Sequence, residues 1–167
     1  MRANFRIAEA RDLSAIVEIY NQAVAMKQAT AELTPVSVEG RRDWFAEHTA
    51  ERYPIFVAES GGRVVGWCSL SPYRPGRLAL RYTAEISYYI HQDFRRMGIG
   101  SQLVALAIEE SRTRAIKTLV AILLDINTGS IRLLEKLGFT KWGELPRVAD
   151  FDGKECGHLY YGLRISP

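Results

Sequence analysis

The sequence has few cysteines, no long hydrophobic segment and little excess of either charge. Its two cysteines, Cys68 and Cys156, lie far apart and in no metal-ligand spacing, which favours free thiols in a reducing cytosol over a disulfide or a catalytic thiol. The longest apolar run, Leu119 to Leu124, is far shorter than the ~20 residues that span a membrane. No apolar segment typical of a signal peptide follows the N-terminus. We therefore predict a cytoplasmic protein with no membrane partner.

The charge balance excludes another class of partner. Lys and Arg number 22 against 19 for Asp and Glu, giving a net charge of +3. No basic stripe accompanies this small surplus, so a nucleic-acid partner is not expected. His48, His91 and His158 share no spacing, so no metal site is expected. The hydrophobic and charged fractions, 47% and 25%, are typical of globular proteins, and the length fits one domain, residues 1–167.

Hydrophobic periodicity predicts a series of helices and strands. Helical spacing follows Asp12, a candidate cap, and begins again at Ser37, which leads to Trp44 and Phe45. Two later helices are predicted at Gly98–Arg114 and Ser130–Leu137. The predicted strands are Phe5–Ile7, Ile55–Glu59, Val64–Leu70, Thr83–Ile90, Leu119–Leu124, Thr140–Leu145 and His158–Leu163.

The resulting order is β-α-α-β-β-β-α-β-α-β-β, which predicts an α/β protein with a mixed sheet and helices on both faces. Gly61 and Gly62 suit the tight turn of an antiparallel hairpin. The β-α-β unit from Thr83 to Leu124 should be a parallel crossover. A doubly wound nucleotide-binding fold is not expected, because strands and helices do not alternate throughout.

A short basic loop with two glycines, Arg95-Arg96-Met97-Gly98-Ile99-Gly100, follows the strand that ends at Ile90. The glycines open a predicted helix, whose N-terminus exposes unpaired N–H groups and a partial positive charge. The arginines add charge, so the loop suits a phosphate-bearing ligand. It is equally consistent with a tight turn beside two solvated arginines. A dinucleotide fingerprint is disfavoured because residue 103 is leucine, and no P-loop Gly-Lys-Ser/Thr triplet follows these glycines.

In the context of the whole chain, this loop resembles the acetyl-CoA loop of the GNAT superfamily of N-acetyltransferases. Matching pieces follow in order along nearly the whole sequence and point to the phosphinothricin acetyltransferase-like branch. They are Ile19-Tyr20-Asn21, Trp44-Phe45, Val57-Ala58-Glu59, Val64-Val65-Gly66, Thr83-Ala84-Glu85, the glycine loop, Asn127-x-x-Ser130 and Glu135-x-x-Gly138-Phe139. The resemblance implies the GNAT fold, in which the strand from Glu85 to Ile90 splays from Leu119–Leu124.

The resemblance also implies an acetyl-CoA site. The pantetheine arm would lie between the splayed strands, and the pyrophosphate would bind the N–H groups from Arg96 to Ser101. Asn127 would hydrogen-bond the pantetheine, and Lys136 lies where relatives contact CoA. The residues predicted in this way to bind the cofactor are Tyr88, Tyr89, Ile90, Arg95, Arg96, Met97, Gly98, Ile99, Gly100, Ser101, Asn127 and Lys136.

Five further positions bear on the reaction. Glu85 matches the family glutamate that acts as general base when a primary amine attacks the thioester, although a salt-bridged strand-edge glutamate is the alternative. A backbone N–H near Tyr89 is the expected donor to the oxyanion. Arg77 suits a substrate carboxylate or phosphinate. Leu80 stands where the branch usually has tyrosine, and Leu134 stands where many relatives place a proton-donating Tyr or His.

These features predict an enzyme that acetylates the α-amine of a small amino-acid-like molecule, such as methionine sulfone, methionine sulfoximine or phosphinothricin. A homodimer is expected because dimers are common in this branch. Two alternatives stay open. One is an acetyltransferase acting on a protein N-terminus or lysine. The other is a non-catalytic CoA-binding module, which the absence of the usual acid at Leu134 keeps in view.

Overall fold

All the strands of the computed structural model, which describes residues 2–167, join one seven-stranded mixed sheet. The spatial order is β1-β2-β3-β4-β5-β7-β6, with β4 and β5 parallel and every other neighbouring pair antiparallel. The strands are β1 (Asn4–Ile7), β2 (Ile55–Ser60), β3 (Arg63–Pro72), β4 (Thr83–Ile90), β5 (Thr118–Leu124), β6 (Thr140–Phe151) and β7 (Lys154–Arg164). The predicted mixed α/β fold and its parallel crossover are confirmed.

Helices cover both faces of the sheet, because neighbouring strand residues point to opposite sides. On one face, α1 packs Ile16 and Ile19 against Trp67. On the other, α3 packs Leu103 in the same cluster as Cys68, the next residue of β3. The helices are α1 (Leu13–Met26), α2 (Arg42–Ala46), α3 (Ile99–Thr113) and α4 (Thr128–Lys136). Within residues 2–167, no helix has the length and apolar character to cross a membrane.

The two early helices begin near the predicted residues but use their polar side chains differently. Asp12 is the N-cap residue of α1, yet its carboxylate makes no cap hydrogen bond to the helix. It instead binds the Arg6 guanidinium at 2.7 Å and accepts the Glu9 N–H at 2.7 Å, because a charged partner on β1 lies within reach. The Ser37 hydroxyl accepts the Gly40 N–H, and a 3-10 turn, Glu39–Arg41, leads directly into α2 at Arg42.

The last two strands are longer than predicted and meet in a hairpin. Asp152 and Gly153 form its turn with φ values of 54° and 94°, as a primed turn requires. Most residues of β6 are exposed, so its sequence lacks the alternation of a half-buried strand.

The two parallel strands pair over only a short stretch, which creates the opening for a site. Registered partners join Thr83 to Thr118, Ala84 to Leu119 and Glu85 to Val120. Beyond Glu85, β4 stays paired with β3, whereas β5 stays paired with β7. The sheet therefore splits into two halves at Glu85, as the resemblance implied.

Candidate active site

The split in the sheet opens into a groove with a volume of about 780 Å³. Its walls are the diverging ends of β4 and β5, its floor includes α4, and one end is closed by the loop that leads into α3. The groove is lined by Ala23, Met26, Gln28 and Ala29 at the end of α1, Ile86 to Ile90 on β4, Phe94 to Arg96 and Gly98 to Ser101 at the loop, Ala121 to Leu123 on β5, and Ile126 to Ser130 with Arg132 to Leu134 at α4.

The β4 wall of the groove offers backbone hydrogen-bonding groups with no strand partner. The His91 N–H donates to the Val65 carbonyl of β3 at 2.9 Å. Since antiparallel bonding alternates, the backbone groups of Tyr89 face β3, and those of Tyr88 and Ile90 face the groove. Of the backbone N–H groups near Tyr89, where an oxyanion donor is predicted, that of its neighbour Tyr88 is the one that faces the groove.

The glycine loop forms an open helix N-terminus at one end of the groove. Gly98 is the N-cap of α3 with φ of 80°, and no side chain caps the first turn. A Cβ on Gly100 would lie 3.1 Å from the Leu133 side chain, so α3 approaches α4 closely only with glycine there. Uncapped N–H groups at the start of a 15-residue helix bind anions favourably.

Two arginines add positive charge at this end. The Arg95 guanidinium is half-buried, donates to the Ile90 carbonyl at 3.3 Å and contacts the Met26 sulfur. Burial lowers the pKa of Arg95, but its reference value is high enough to keep the cation at neutral pH. Arg96 is exposed beside it, with φ of 62°. This end of the groove therefore suits a phosphate or pyrophosphate.

The α4 side of the groove mixes apolar side chains with polar ones. One of the polar residues is Asn127, whose side-chain oxygen accepts the Ser130 N–H at 3.3 Å and so caps α4. Leu134 is buried at the groove wall, so no acid occupies that position. The Tyr88 hydroxyl is buried nearby without a hydrogen-bond partner.

A second, smaller cavity of about 210 Å³ lies on the opposite face of β4, against α1 and α2. We call it the acceptor pocket. The alternate β4 residues Glu85, Ser87 and Tyr89 form one wall, as expected from the two-residue repeat of a strand. The remaining wall residues are Ile16, Val17, Tyr20, Val36, Arg41, Trp44, Trp67, Ser69 and Ser71.

Glu85 is the one acidic side chain of this pocket. Among residues 2–167 it makes no ion pair, so the salt-bridge interpretation finds no partner in the structure. Burial raises the pKa of its carboxyl, which brings its proton affinity closer to that of an amine. A carboxylate in this state is suited to accept a proton near neutral pH.

Arg41 is the one basic side chain of the same pocket. Its guanidinium carbon lies 4.8 Å from the centre of the Tyr20 ring and 5.5 Å from that of Trp44. Trp67 completes an aromatic cluster, 5.6 Å from Trp44 and 4.9 Å from Tyr89 between ring centres. The aromatic faces hold the cation in place while its N–H groups stay available to a carboxylate.

The groove and the acceptor pocket meet at β4. Ser87 and Tyr89 line both cavities, and Tyr88 lies between them in the chain. Two ligands that enter from opposite faces would therefore come together beside Ser87, one step along the face from Glu85. This arrangement suits the transfer of a group from a long phosphate-bearing donor to a small zwitterionic acceptor.

Most of the predicted cofactor-binding residues lie together on the groove, with two exceptions. Met97 and Lys136 are exposed and do not line it. Arg77, the predicted substrate contact, is exposed and lines neither cavity, and Leu80 also lies outside both. The structure thus brings no residue of the 77–80 segment to the pocket that contains Glu85.

Sequence reasoning missed the acceptor side of the site. Arg41 and Trp67 belong to no motif, and Tyr20 and Trp44 appear in the sequence analysis without a role in the site. The spacing of Arg41 and Trp44 on one helical face was a signal, but their place in the same pocket as Glu85 depends on how α2 packs on the sheet. Within the described residues, no three His, Cys, Asp or Glu side chains are grouped to hold a metal ion.

The family comparison and the curated relatives agree with this geometry. Residues 15–139 match the model of the acetyltransferase (GNAT) family. The "Putative phosphinothricin acetyltransferase YwnH" of Bacillus subtilis (strain 168) is 42% identical, over 96% of this chain and 98% of its own. The L-methionine sulfoximine/L-methionine sulfone acetyltransferase of Pseudomonas paraeruginosa is 35% identical, over 100% and 97%.

Two solved structures with the same fold belong to proteins that are named for different acceptors. A GNAT superfamily phosphinothricin acetyltransferase from Sinorhizobium meliloti, in complex with acetyl-CoA, superposes with a TM-score of 0.93 at 29% identity, over 99% of this chain and 90% of that one. A ribosomal-protein-alanine N-acetyltransferase from Brucella melitensis gives 0.91 at 35% identity, over 96% and 99%.

Proposed function

Because the chain belongs to the acetyltransferase (GNAT) family, we propose that it transfers the acetyl group of acetyl-CoA to the α-amine of a small amino-acid-like molecule. One observation carries this proposal. A groove with an anion-binding end meets a small pocket that holds a lone carboxylate and a lone guanidinium. The names of the Bacillus and Pseudomonas relatives support the same class of acceptor.

The groove fits acetyl-CoA on three grounds. The uncapped start of α3, with Arg95 and Arg96, suits the pyrophosphate. The groove-facing backbone of Tyr88 and Ile90 suits the amides of the pantetheine arm, and Asn127 borders the same space. When bound, acetyl-CoA supplies the activated acetyl group. Met97 and Lys136 remain predicted contacts that the shape of the groove does not support.

Glu85 is the proposed general base. Only the neutral amine has a lone pair, so the ammonium form of the acceptor must lose one proton before attack, and the nitrogen loses a second proton as the C–N bond forms. The Glu85 carboxylate, half-buried and unpaired in the acceptor pocket, takes up this second proton directly or through a water molecule. The thiol that leaves has a pKa of about 8.5, so it departs as a fair leaving group without an acid at Leu134.

Arg41, rather than Arg77, is the proposed anchor of the acceptor carboxylate. It shares the acceptor pocket with Glu85, whereas Arg77 lies outside. A guanidinium and a carboxylate on one small cavity complement the two charges of a zwitterionic α-amino acid. The aromatic cluster of Tyr20, Trp44 and Trp67 offers apolar surface to the acceptor side chain.

A second candidate function is the acetylation of a protein amine, which the similarity to the Brucella enzyme favours. The small volume of the acceptor pocket, about 210 Å³, favours a small acceptor instead. Thiol release from acetyl-CoA distinguishes the two candidate functions when three acceptors are compared. They are methionine sulfoximine, its carboxamide and a peptide with an N-terminal alanine. We expect turnover of the free amino acid and little of the other two. Turnover of the peptide alone would contradict the proposal, and binding of acetyl-CoA without any turnover would indicate a non-catalytic module.

A homodimer is proposed from the resemblance, and a cytoplasmic location from the sequence. A homodimer is supported by exposed apolar side chains on the edge strand β6, Trp142, Leu145 and Val148. A single domain is supported by the one sheet that all strands join. A cytoplasmic location is supported by two free cysteines. Sedimentation analysis tests the dimer, which a monomer at micromolar concentration would contradict.

A further inference from the structure

The Tyr88 hydroxyl is a buried polar group that forms no hydrogen bond within the fold. No hydrogen-bond partner for it lies among residues 2–167. Ser130 of α4 is close enough to act on the Tyr88 phenol, but no hydrogen bond of normal geometry joins the two hydroxyls. Leaving a buried hydroxyl unsatisfied is unfavourable, so such a group in a ligand groove points to a partner that arrives with the ligand.

The position of Tyr88 identifies which part of the ligand that partner is. Ser87 and Tyr89, its neighbours in the chain, line both cavities, so the acetyl group must pass beside them. Tyr88 lines only the groove, which is the side from which the donor enters. Its ring packs against the apolar cluster that contains Leu134. The thioester sulfur is the atom of the acetyl donor that gains negative charge at this point.

We propose that Tyr88 donates a hydrogen bond to the sulfur of acetyl-CoA and holds the thiolate as it leaves. The inference rests on the proposed function. The acceptor nitrogen forms its bond to the acetyl carbon, the C–S bond breaks with its electron pair on sulfur, and the amine proton goes to Glu85. The Tyr88 phenol keeps its proton throughout, and the thiolate is protonated afterwards from solvent.

The protonation state of the phenol agrees with this role. Burial raises the pKa of Tyr88, well above the ~8.5 of a thiol. Full transfer of the proton to the thiolate is therefore unfavourable, and a neutral donor remains. Hydrogen bonds to charged acceptors are the stronger class, so the bond strengthens as the sulfur becomes negative.

The ionisation of bound CoA tests the proposal without turnover. The thiol pKa of CoA in the complex is measured from thiolate absorbance, with the desulfo-CoA complex as the blank. We expect Tyr88→Phe to raise this pKa by roughly one to two units, equal to a tenfold to hundredfold loss of thiolate stabilisation. Tyr82→Phe is the matched control, because Tyr82 stacks on Lys117 and lines neither cavity.

Turnover gives a second readout. Acetyl thioesters of less acidic thiols should lose more rate in Tyr88→Phe than thioesters of acidic thiols, because a poor leaving group depends more on the donor. An unchanged thiol pKa overturns the proposal. An equal loss of affinity for CoA and desulfo-CoA in Tyr88→Phe also overturns it, because the hydroxyl would then bind the pantetheine and not the sulfur. A shift of the thiol pKa in Ser130→Ala but not in Tyr88→Phe overturns it as well. Absence of acetyl transfer in the unmodified protein would instead refute the proposed function.

Discussion

Replacing Glu85 with glutamine separates a catalytic from a structural role for this residue. The substitution keeps the shape of the side chain and removes its charge and its proton affinity. Since Glu85 has no ion-pair partner among the described residues, the change breaks no salt bridge. Any loss of activity then reflects the chemistry of the carboxylate.

The size of the effect follows from the acceptor amine. An α-amine with a pKa of about 8 is roughly one-tenth neutral at pH 7. If Glu85 only helped to deprotonate it before attack, the loss would be about tenfold at pH 7 and would vanish near pH 9. A base that takes the proton in the transition state contributes about 10²–10⁴-fold. We expect a loss in that range at pH 7, of which about tenfold is recovered at pH 9.

Stability should change in the opposite direction. Burial raises the pKa of Glu85 in the folded protein, so the folded state binds this proton more tightly than the unfolded chain. The stabilisation from the protonated form is complete below the unfolded value of about 4.3 and is lost as pH rises through the folded pKa. At pH 7 the buried charge is therefore unfavourable. Glu85→Gln should melt at a higher temperature than the original protein at pH 7, and the difference should shrink toward pH 4.

The assay is thiol release between pH 6 and 9, paired with thermal denaturation of the same variants. Glu109→Gln is the control, because this exposed glutamate lies on α3 outside both cavities. In the original enzyme, kcat/KM should decrease as pH falls, with a midpoint above the pKa of an ordinary glutamate. Unchanged turnover at every pH would refute the role as base. Lower stability with little loss of activity would show that Glu85 is structural.

Three further predictions concern the acceptor, the loop and the fold. In steady-state assays, Arg41→Gln should raise KM for a carboxylate-bearing acceptor by about tenfold to hundredfold, while Arg77→Gln leaves KM unchanged. Equal effects of the two substitutions would contradict Arg41 as the anchor of the carboxylate. Gly98→Ala forces alanine to a φ of 80°, which costs roughly 1–2 kcal/mol of backbone strain. The strained loop should bind acetyl-CoA more weakly in calorimetry, and an unaltered affinity would argue against the loop as the pyrophosphate site. Burial alone would raise the pKa of Asp12, but hydrogen bonds from Arg6 lower it overall. The ionised Asp12 carboxylate therefore stabilises the folded protein above about pH 4, and this stabilisation is lost as pH falls through the pKa of Asp12 in the folded state. Asp12→Asn should therefore cost about 1.5–3 kcal/mol at pH 7 and less in acid, measured by denaturant titration, and a cost independent of pH would contradict this account.

The sequence contained enough local information for most of the fold and for the glycine loop. Alternation in Thr83–Ile90 marks β4, and the apolar run Leu119–Leu124 marks β5, because burial imposes those patterns locally. Gly98 and Gly100 mark the loop, since glycine adopts the positive φ at one without strain and permits the close packing at the other. The other groove residues were predicted through the family resemblance, because no local pattern brings β5 and Asn127 beside the loop.

The polar partners of the early helices were less predictable. Asp12 has the composition of a helix cap, but its carboxylate binds Arg6 of β1. A cap requires only the next turn of the chain, whereas the observed ion pair requires β1 to lie beside α1. Local propensity therefore gave way to a charge-assisted contact that the packing of the sheet created.

The sequence by itself determined the order of the elements, the crossover and the position of the glycine loop, because each depends on residues close together in the chain. Tertiary structure alone decided that Arg41 and not Arg77 lines the same pocket as Glu85, and that the Tyr88 hydroxyl is buried without a partner. The physical reason is that these relations join α2, β4 and α4, which are distant in sequence. Their contacts are set by how the helices pack on two halves of a divided sheet.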